Sequence, residues 1–84
     1  MPTVDWSQEA VNDLLALGER QFRQAEAIRR ALHQLARTGA GDLKKLEGSQ
    51  DRWRLRVGDW RVMLLKRADG AYYVERVVAR RDAY

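Results

Sequence analysis

From Arg52 to Leu64, arginine and apolar residues alternate: Arg52-Trp53-Arg54-Leu55-Arg56-Val57, then Gly58-Asp59, then Trp60-Arg61-Val62-Met63-Leu64. Successive side chains of a strand point to opposite faces, so a period of two argues for half-buried strands rather than a helix. Gly-Asp between two such runs is a two-residue hairpin signal. With Gly58 and Asp59 as the loop, Val57 pairs with Trp60, Arg56 with Arg61, Leu55 with Val62 and Arg54 with Met63. Trp53, Leu55, Val57, Trp60, Val62 and Leu64 then share one face, and Arg52, Arg54, Arg56 and Arg61 the other. Like charges held side by side across paired strands repel. A chain that gathers arginines in this way points to an anionic partner.

The chain of 84 residues has the size of one small domain, spanning 1–84, near the lower limit for a self-sufficient core. Three tryptophans supply buried area, and with no cysteine there is neither a disulfide framework nor a thiolate metal site. One histidine and no cysteine also exclude a zinc or histidine-pair nuclease site, so no metal and no cofactor is expected. No apolar run approaches a membrane span, and Met1-Pro2-Thr3-Val4-Asp5 lacks a signal-peptide pattern. The expectation is a cytoplasmic protein with no membrane contact. A net charge of +4 favours nucleic acid or an acidic protein as partner.

Around the arginine hairpin the other elements can be placed. Thr3 to Trp6 reads as a short first strand, and Ser7 as the N-cap of a helix carrying Val11, Leu14 and Leu15, with Gly18 as its C-terminal cap. A second helix runs from Glu19 to Arg37, with an apolar stripe of Phe22, Ala25, Ile28, Leu32, Leu35 and Ala36. Arg23, Glu26, Arg30, His33 and Arg37 fall off that stripe and are expected in solvent. So short a connection predicts a helical hairpin. Leu43 to Glu47 reads as a strand. Asp69-Gly70 marks a turn into Tyr72–Ala79, which sets Met63 opposite Arg76 and Arg61 opposite Val78, so that Arg76 and Arg80 join the arginine face. The same two-residue loop puts Glu75 opposite Leu64 on the apolar face, a conflict that a longer loop with a bulge would remove. The fold class expected is α+β, an N-terminal helical hairpin packed on a small antiparallel β-sheet.

Four segments in order carry a resemblance: Lys45-Leu46-Glu47-Gly48, Trp53-Arg54-Leu55-Arg56-Val57, Gly58-Asp59-Trp60-Arg61-Val62, and Val77-Val78-Ala79-Arg80-Arg81-Asp82-Ala83-Tyr84. Together they resemble the RelE/ParE superfamily, toxins of bacterial type II toxin–antitoxin modules. RelE-like members are endoribonucleases that cut mRNA, often on the ribosome; ParE-like members inhibit DNA gyrase and generally lack the basic and tyrosine set. The resemblance to the RelE-like branch implies catalytic roles for Arg54, Arg56, Arg61, Arg80 and Tyr84. Ala79 departs from relatives with histidine or lysine there, and Lys44 stands where some carry a glutamate that acts as base. The identity of the general base is therefore open.

Metal-free cleavage by the ribose 2′-OH needs a base, cations on the crowded phosphate and an acid for the leaving oxygen. Arginine suits the middle role, being always charged and able to bind phosphate oxygens bidentately. Arg61 and Arg80 are expected to stabilise the transition state, and Arg54 and Arg56 to position the phosphate. Tyr84 is the expected proton acceptor, although a tyrosine can equally stack on a base. Lys44, Lys45, Arg52, Arg76 and Arg81 are expected to bind RNA. The resemblance also implies a cognate antitoxin, mRNA with the ribosome, and operator DNA reached only through the antitoxin. Gyrase inhibition, or a degenerate toxin acting only in antitoxin–operator complexes, are the alternatives.

Overall fold

Ser7 both ends a strand and starts a helix. Its Oγ accepts from Ala10 N at 3.0 Å, the N-cap expected of a serine ahead of an apolar-periodic run, and donates to Glu75 O at 2.7 Å. The first strand and first helix are thereby pinned to a strand almost seventy residues away. The computed structural model describes residues 3–83. In chain order these form β1 (Val4–Trp6), α1 (Gln8–Arg20), α2 (Phe22–Thr38), β2 (Leu43–Lys45), β3 (Arg52–Val57), β4 (Trp60–Lys66), β5 (Tyr72–Ala79) and a 3₁₀ turn, Arg80–Asp82. One five-stranded sheet runs in the order β1-β5-β4-β3-β2, antiparallel except for β1 beside β5.

Only Gln21 separates the helices. α1 does not stop at Gly18 but continues to Arg20, and Gln21 N closes its last turn on Leu17 O. A Cβ at Gly18 would lie 3.8 Å from the Cβ of Ala25. That is an ordinary van der Waals distance, so Gly18 is an interior helix position and neither a cap nor a site that demands glycine. Ala25, Ile28, Leu32 and Leu35 form the buried stripe of α2, meeting Leu55, Val62, Leu64, Tyr72, Val74 and Val77 from the sheet. Phe22 departs from expectation and is 69 % exposed. Periodicity fixes the face a residue occupies but not how far its partner layer extends, and the stripe starts one turn further in. Leu17 and Ala10 complete the core from α1, with Trp6, Trp53 and Trp60 packed at its margin.

The β3–β4 register is Val57 with Trp60, Arg56 with Arg61, Leu55 with Val62 and Arg54 with Met63, as the alternation specifies. Gly58, at φ 58°, takes the first central position of the turn, where a positive φ matches the twist of the flanking strands. The β4–β5 hairpin differs from the two-residue loop. Arg67 N bonds Ala71 O, and Gly70 N bonds Arg67 O, with Gly70 at φ 90°, so Ala68, Asp69 and Gly70 form a three-residue loop. Leu64 then faces Val74, while Met63 still faces Arg76. Glu75 is the extra residue of a bulge, which keeps its carboxylate out of the core and lets the apolar alternation resume on both sides of it.

Beyond Val74, β5 has no strand on its outer side among the described residues, because β1 pairs only with Tyr72–Val74. Asp13 of α1 covers part of that edge. Its Oδ2 accepts from Val77 N at 2.9 Å and from Arg76 Nε at 2.8 Å, while Oδ1 accepts from Arg76 Nη2 at 3.0 Å. Burial pushes the Asp13 carboxyl upward, but the Arg76 hydrogen bonds, the Val77 amide and the Arg76 charge together hold it below its usual value. A carboxyl with a lowered folded-state pKa stabilises the fold above its unfolded pKa, and that contribution fades as pH falls through the folded value. Asp13→Asn is therefore expected to be less stable than wild type at pH 7. The gap should narrow below pH about 4, where an unfolded aspartate takes up its proton, and urea unfolding at pH 7 and pH 3 would measure it. An equal gap at both values would show that the charge of Asp13 contributes nothing.

Candidate active site

Strand parity and edge position decide which cations meet. Lys44 lies opposite Arg54, Arg54 opposite Met63, Arg56 opposite Arg61 and Arg61 opposite Val78, so Lys44, Arg54, Arg56 and Arg61 emerge on the face away from the helices. Arg80 follows β5 directly in the 3₁₀ turn, and its backbone N donates to Asp59 O at 2.8 Å. That bond brings the C-terminal segment to the tip of the β3–β4 hairpin. Asp59, Arg61, Ala79, Arg80 and Arg81 line an open basin of ≈ 630 Å³. Residues distant in the chain are joined here because the hairpin tip and the end of β5 reach the same end of the sheet.

Arg61 is 7 % exposed. Its Nη1 donates to Gly58 O at 2.8 Å and Trp60 O at 2.9 Å, so the guanidinium is held by the main chain of its own turn, while Nε is buried without an acceptor among the described residues. The Arg54 side chain is 11 % exposed. Its Nε and Nη1 are also buried with no hydrogen-bond partner among the described residues, and Nη1 stands 3.8 Å from Asp42 Oδ1, an ion pair too long to be a hydrogen bond. Arg56 Nε pairs with Asp42 Oδ2, and Arg56 N donates to Asp42 O at 3.0 Å. Buried guanidinium N–H groups are costly when left without acceptors.

Other expected RNA contacts sit elsewhere. Lys45 lies opposite Trp53, hence on the helix-bearing side at the sheet margin. Arg52 shares the arginine parity but stands at the far end of β3, with Nε 3.6 Å from Glu75 Oε1. Arg76 reaches round the β5 edge to Asp13, which holds its guanidinium more firmly protonated than usual through their hydrogen bonds and charge. Arg81 does belong to the basin. Tyr84 lies outside the described residues. His33 is exposed on α2, beside Arg29, Arg30 and Arg37.

Asp42 is the residue that the sequence reading passed over. Two residues before Lys44, it shares the parity of the arginine face, a signal available from the strand period but hidden by its place outside the strand. Among the described residues, no three His, Cys, Asp or Glu side chains gather to hold a metal ion, and no helix is long and apolar enough to cross a membrane.

Comparison with known proteins follows the same geometry. The family model for the ParE toxin of type II toxin–antitoxin system, parDE, matches residues 4–84. No curated protein matches the chain. Among solved structures, the chain is similar to one in the RelB–RelE antitoxin–toxin complex of Methanococcus jannaschii, at 19% identity and TM-score 0.76, covering 95% of this chain and 98% of that one. It is similar also to a chain of the Escherichia coli DinJ–YafQ complex, at 12% identity and TM-score 0.77, over 100% and 99% of the two chains. A third likeness is to the toxin–antitoxin complex RelBE2 of Mycobacterium tuberculosis, at 24% identity and TM-score 0.73, over 95% and 100%. At such identities the likeness is one of fold: two helices on a five-stranded, mostly antiparallel sheet.

Proposed function

Because this chain belongs to the ParE toxin family of type II toxin–antitoxin systems, it is the toxin of such a module with a cognate antitoxin as partner, and we propose that it acts by cleaving mRNA. The observation that carries this reading is the gathering of Arg54, Arg56 and Arg61 on one sheet face beside the Arg80–Arg81 basin, with Arg54 Nε and Nη1 and Arg61 Nε buried without acceptors among the described residues. In this reading Arg54 and Arg56 hold the non-bridging oxygens of one phosphodiester, and Arg61 and Arg80 stabilise the charge that builds as phosphorus becomes five-coordinate. The 2′-oxygen attacks phosphorus, the P–O5′ bond breaks, and the products are a 2′,3′-cyclic phosphate and a 5′-hydroxyl. Guanidinium groups do not give up protons at neutral pH, so their part is electrostatic. Lys44 and Arg81 extend the cationic surface along the RNA backbone, and Tyr84 is a candidate to move a proton or stack on a base.

The substrate is mRNA in the cytoplasm, engaged on the ribosome, and operator DNA is met only through the antitoxin. An antitoxin segment that covers the arginine face needs acidic side chains, since buried guanidinium groups require partners. The second reading is inhibition of DNA gyrase. It is favoured by the ParE family match and by Ala79, where a basic residue would strengthen a nuclease.

One experiment separates the two. The toxin is induced in cells, transcript 5′ ends are mapped, and DNA supercoiling and double-strand breaks are followed in parallel. New 5′ ends within coding sequences, with supercoiling unchanged, are the expected result. Gyrase-linked breaks with intact transcripts would replace the nuclease by the gyrase inhibitor.

A further inference from the structure

We propose that Asp42 is the proton acceptor for the ribose 2′-OH, an inference that rests on the nuclease reading. That reaction requires a base, and arginine cannot serve. On the arginine face the described residues offer few carboxylates. Glu75 stands with Arg52 at the far end of the sheet, and Asp13 is committed to Arg76 and the Val77 amide. Asp59 lines the basin at the hairpin tip but makes no ion pair with Arg54 or Arg56 among the described residues. Among the described residues Asp42 alone pairs with both strand arginines, with Oδ2 on Arg56 Nε and Oδ1 3.8 Å from Arg54 Nη1.

Two features fit Asp42 for the role. Its carbonyl is tied to Arg56 N, so its backbone is fixed to β3, while its side chain remains 44 % exposed and within reach of substrate. The guanidinium groups it touches are those assigned to the phosphate, so a ribose attached to that phosphate comes to rest beside the carboxylate. The 2′-OH proton passes to Asp42, the O2′–P bond forms and the P–O5′ bond breaks. The departing O5′ takes a proton from water, and Asp42 later returns its own to solvent.

The test compares wild type with Asp42→Asn and Asp42→Glu on a short labelled mRNA, free and bound to 70S ribosomes. Binding is measured separately with an mRNA carrying 2′-deoxyribose at the cleaved position. Asp42→Asn should slow single-turnover cleavage by about 10²–10⁴-fold and lose the acidic limb of the pH–rate profile. It should bind the deoxy mRNA at least as tightly as wild type, since a negative charge beside the phosphate is gone. Asp42→Glu, which keeps a carboxylate, should retain part of the rate and the limb. Wild-type rate and pH profile in Asp42→Asn would overturn the proposal. So would rate and binding falling in equal proportion with the profile unchanged, which would mean that Asp42 only holds Arg54 and Arg56. A wild-type protein that leaves mRNA whole defeats the nuclease reading itself, before any variant is compared.

Discussion

Arg61→Ala is expected to slow mRNA cleavage by about 10²–10³-fold, the usual effect of deleting one preorganised donor aimed at developing charge. The same substitution removes the hydrogen bonds from Nη1 to Gly58 O and Trp60 O and empties a site only 7 % exposed. It should therefore also cost stability, about 1–3 kcal/mol for polar groups left unsatisfied. Arg61→Lys separates the two effects. An ammonium keeps the charge and can still reach a turn carbonyl, but it lacks the planar fork that meets two phosphate oxygens at once. The lysine variant should recover much of the stability and little of the rate, measured by urea unfolding beside single-turnover cleavage. A folded Arg61→Ala protein that cuts as fast as wild type would remove Arg61 from the chemistry.

The largest loss of stability is expected from Ile28→Ala. Ile28 is fully buried in the central stripe of α2, within the cluster that joins both helices to β3, β4 and β5. Truncating a buried isoleucine removes its transfer free energy and leaves a cavity, together about 2–5 kcal/mol. Small domains hold only about 5–15 kcal/mol in total, so this one change consumes a large part of the margin. The urea midpoint should fall with an unchanged slope, because the surface exposed on unfolding is nearly the same. A shift worth less than about 1 kcal/mol would mean that the helices close over the gap, and that α2 is less rigidly seated on the sheet than its burial implies.

The arginine face was legible because strand parity is a strong constraint. A slip of one residue would have moved Leu55, Val62 and Leu64 into solvent and the arginines into the core. That requirement fixed the β3–β4 pairing from the pattern alone, and it flagged the β4–β5 loop as wrong through the misplaced Glu75. The remedy considered with it, a longer loop with a bulge, is the one the structure holds; the pattern could not place the bulge, since the third loop residue and the bulge are compensating insertions that restore the same parity at Met63 and Arg76. Phe22 shows a different limit, a correct face extended past the end of its partner surface. Arg76 shows a third: parity gave its side, but a free strand edge let it turn to Asp13, 63 positions earlier. Asp42 escaped notice because it lies just outside β2, and its carboxylate acquires meaning only once β2 is docked on β3.

The turn at Gly58-Asp59 anchors two cations through oxygens that every amino acid possesses: Gly58 O takes Arg61, and Asp59 O takes the amide of Arg80. The spacing between strand cation and tail cation is thus written into the shape of a loop and not into the identity of its second residue. Descendants of this sequence can exchange the aspartate and keep the same grip on both arginines, provided the bend itself survives.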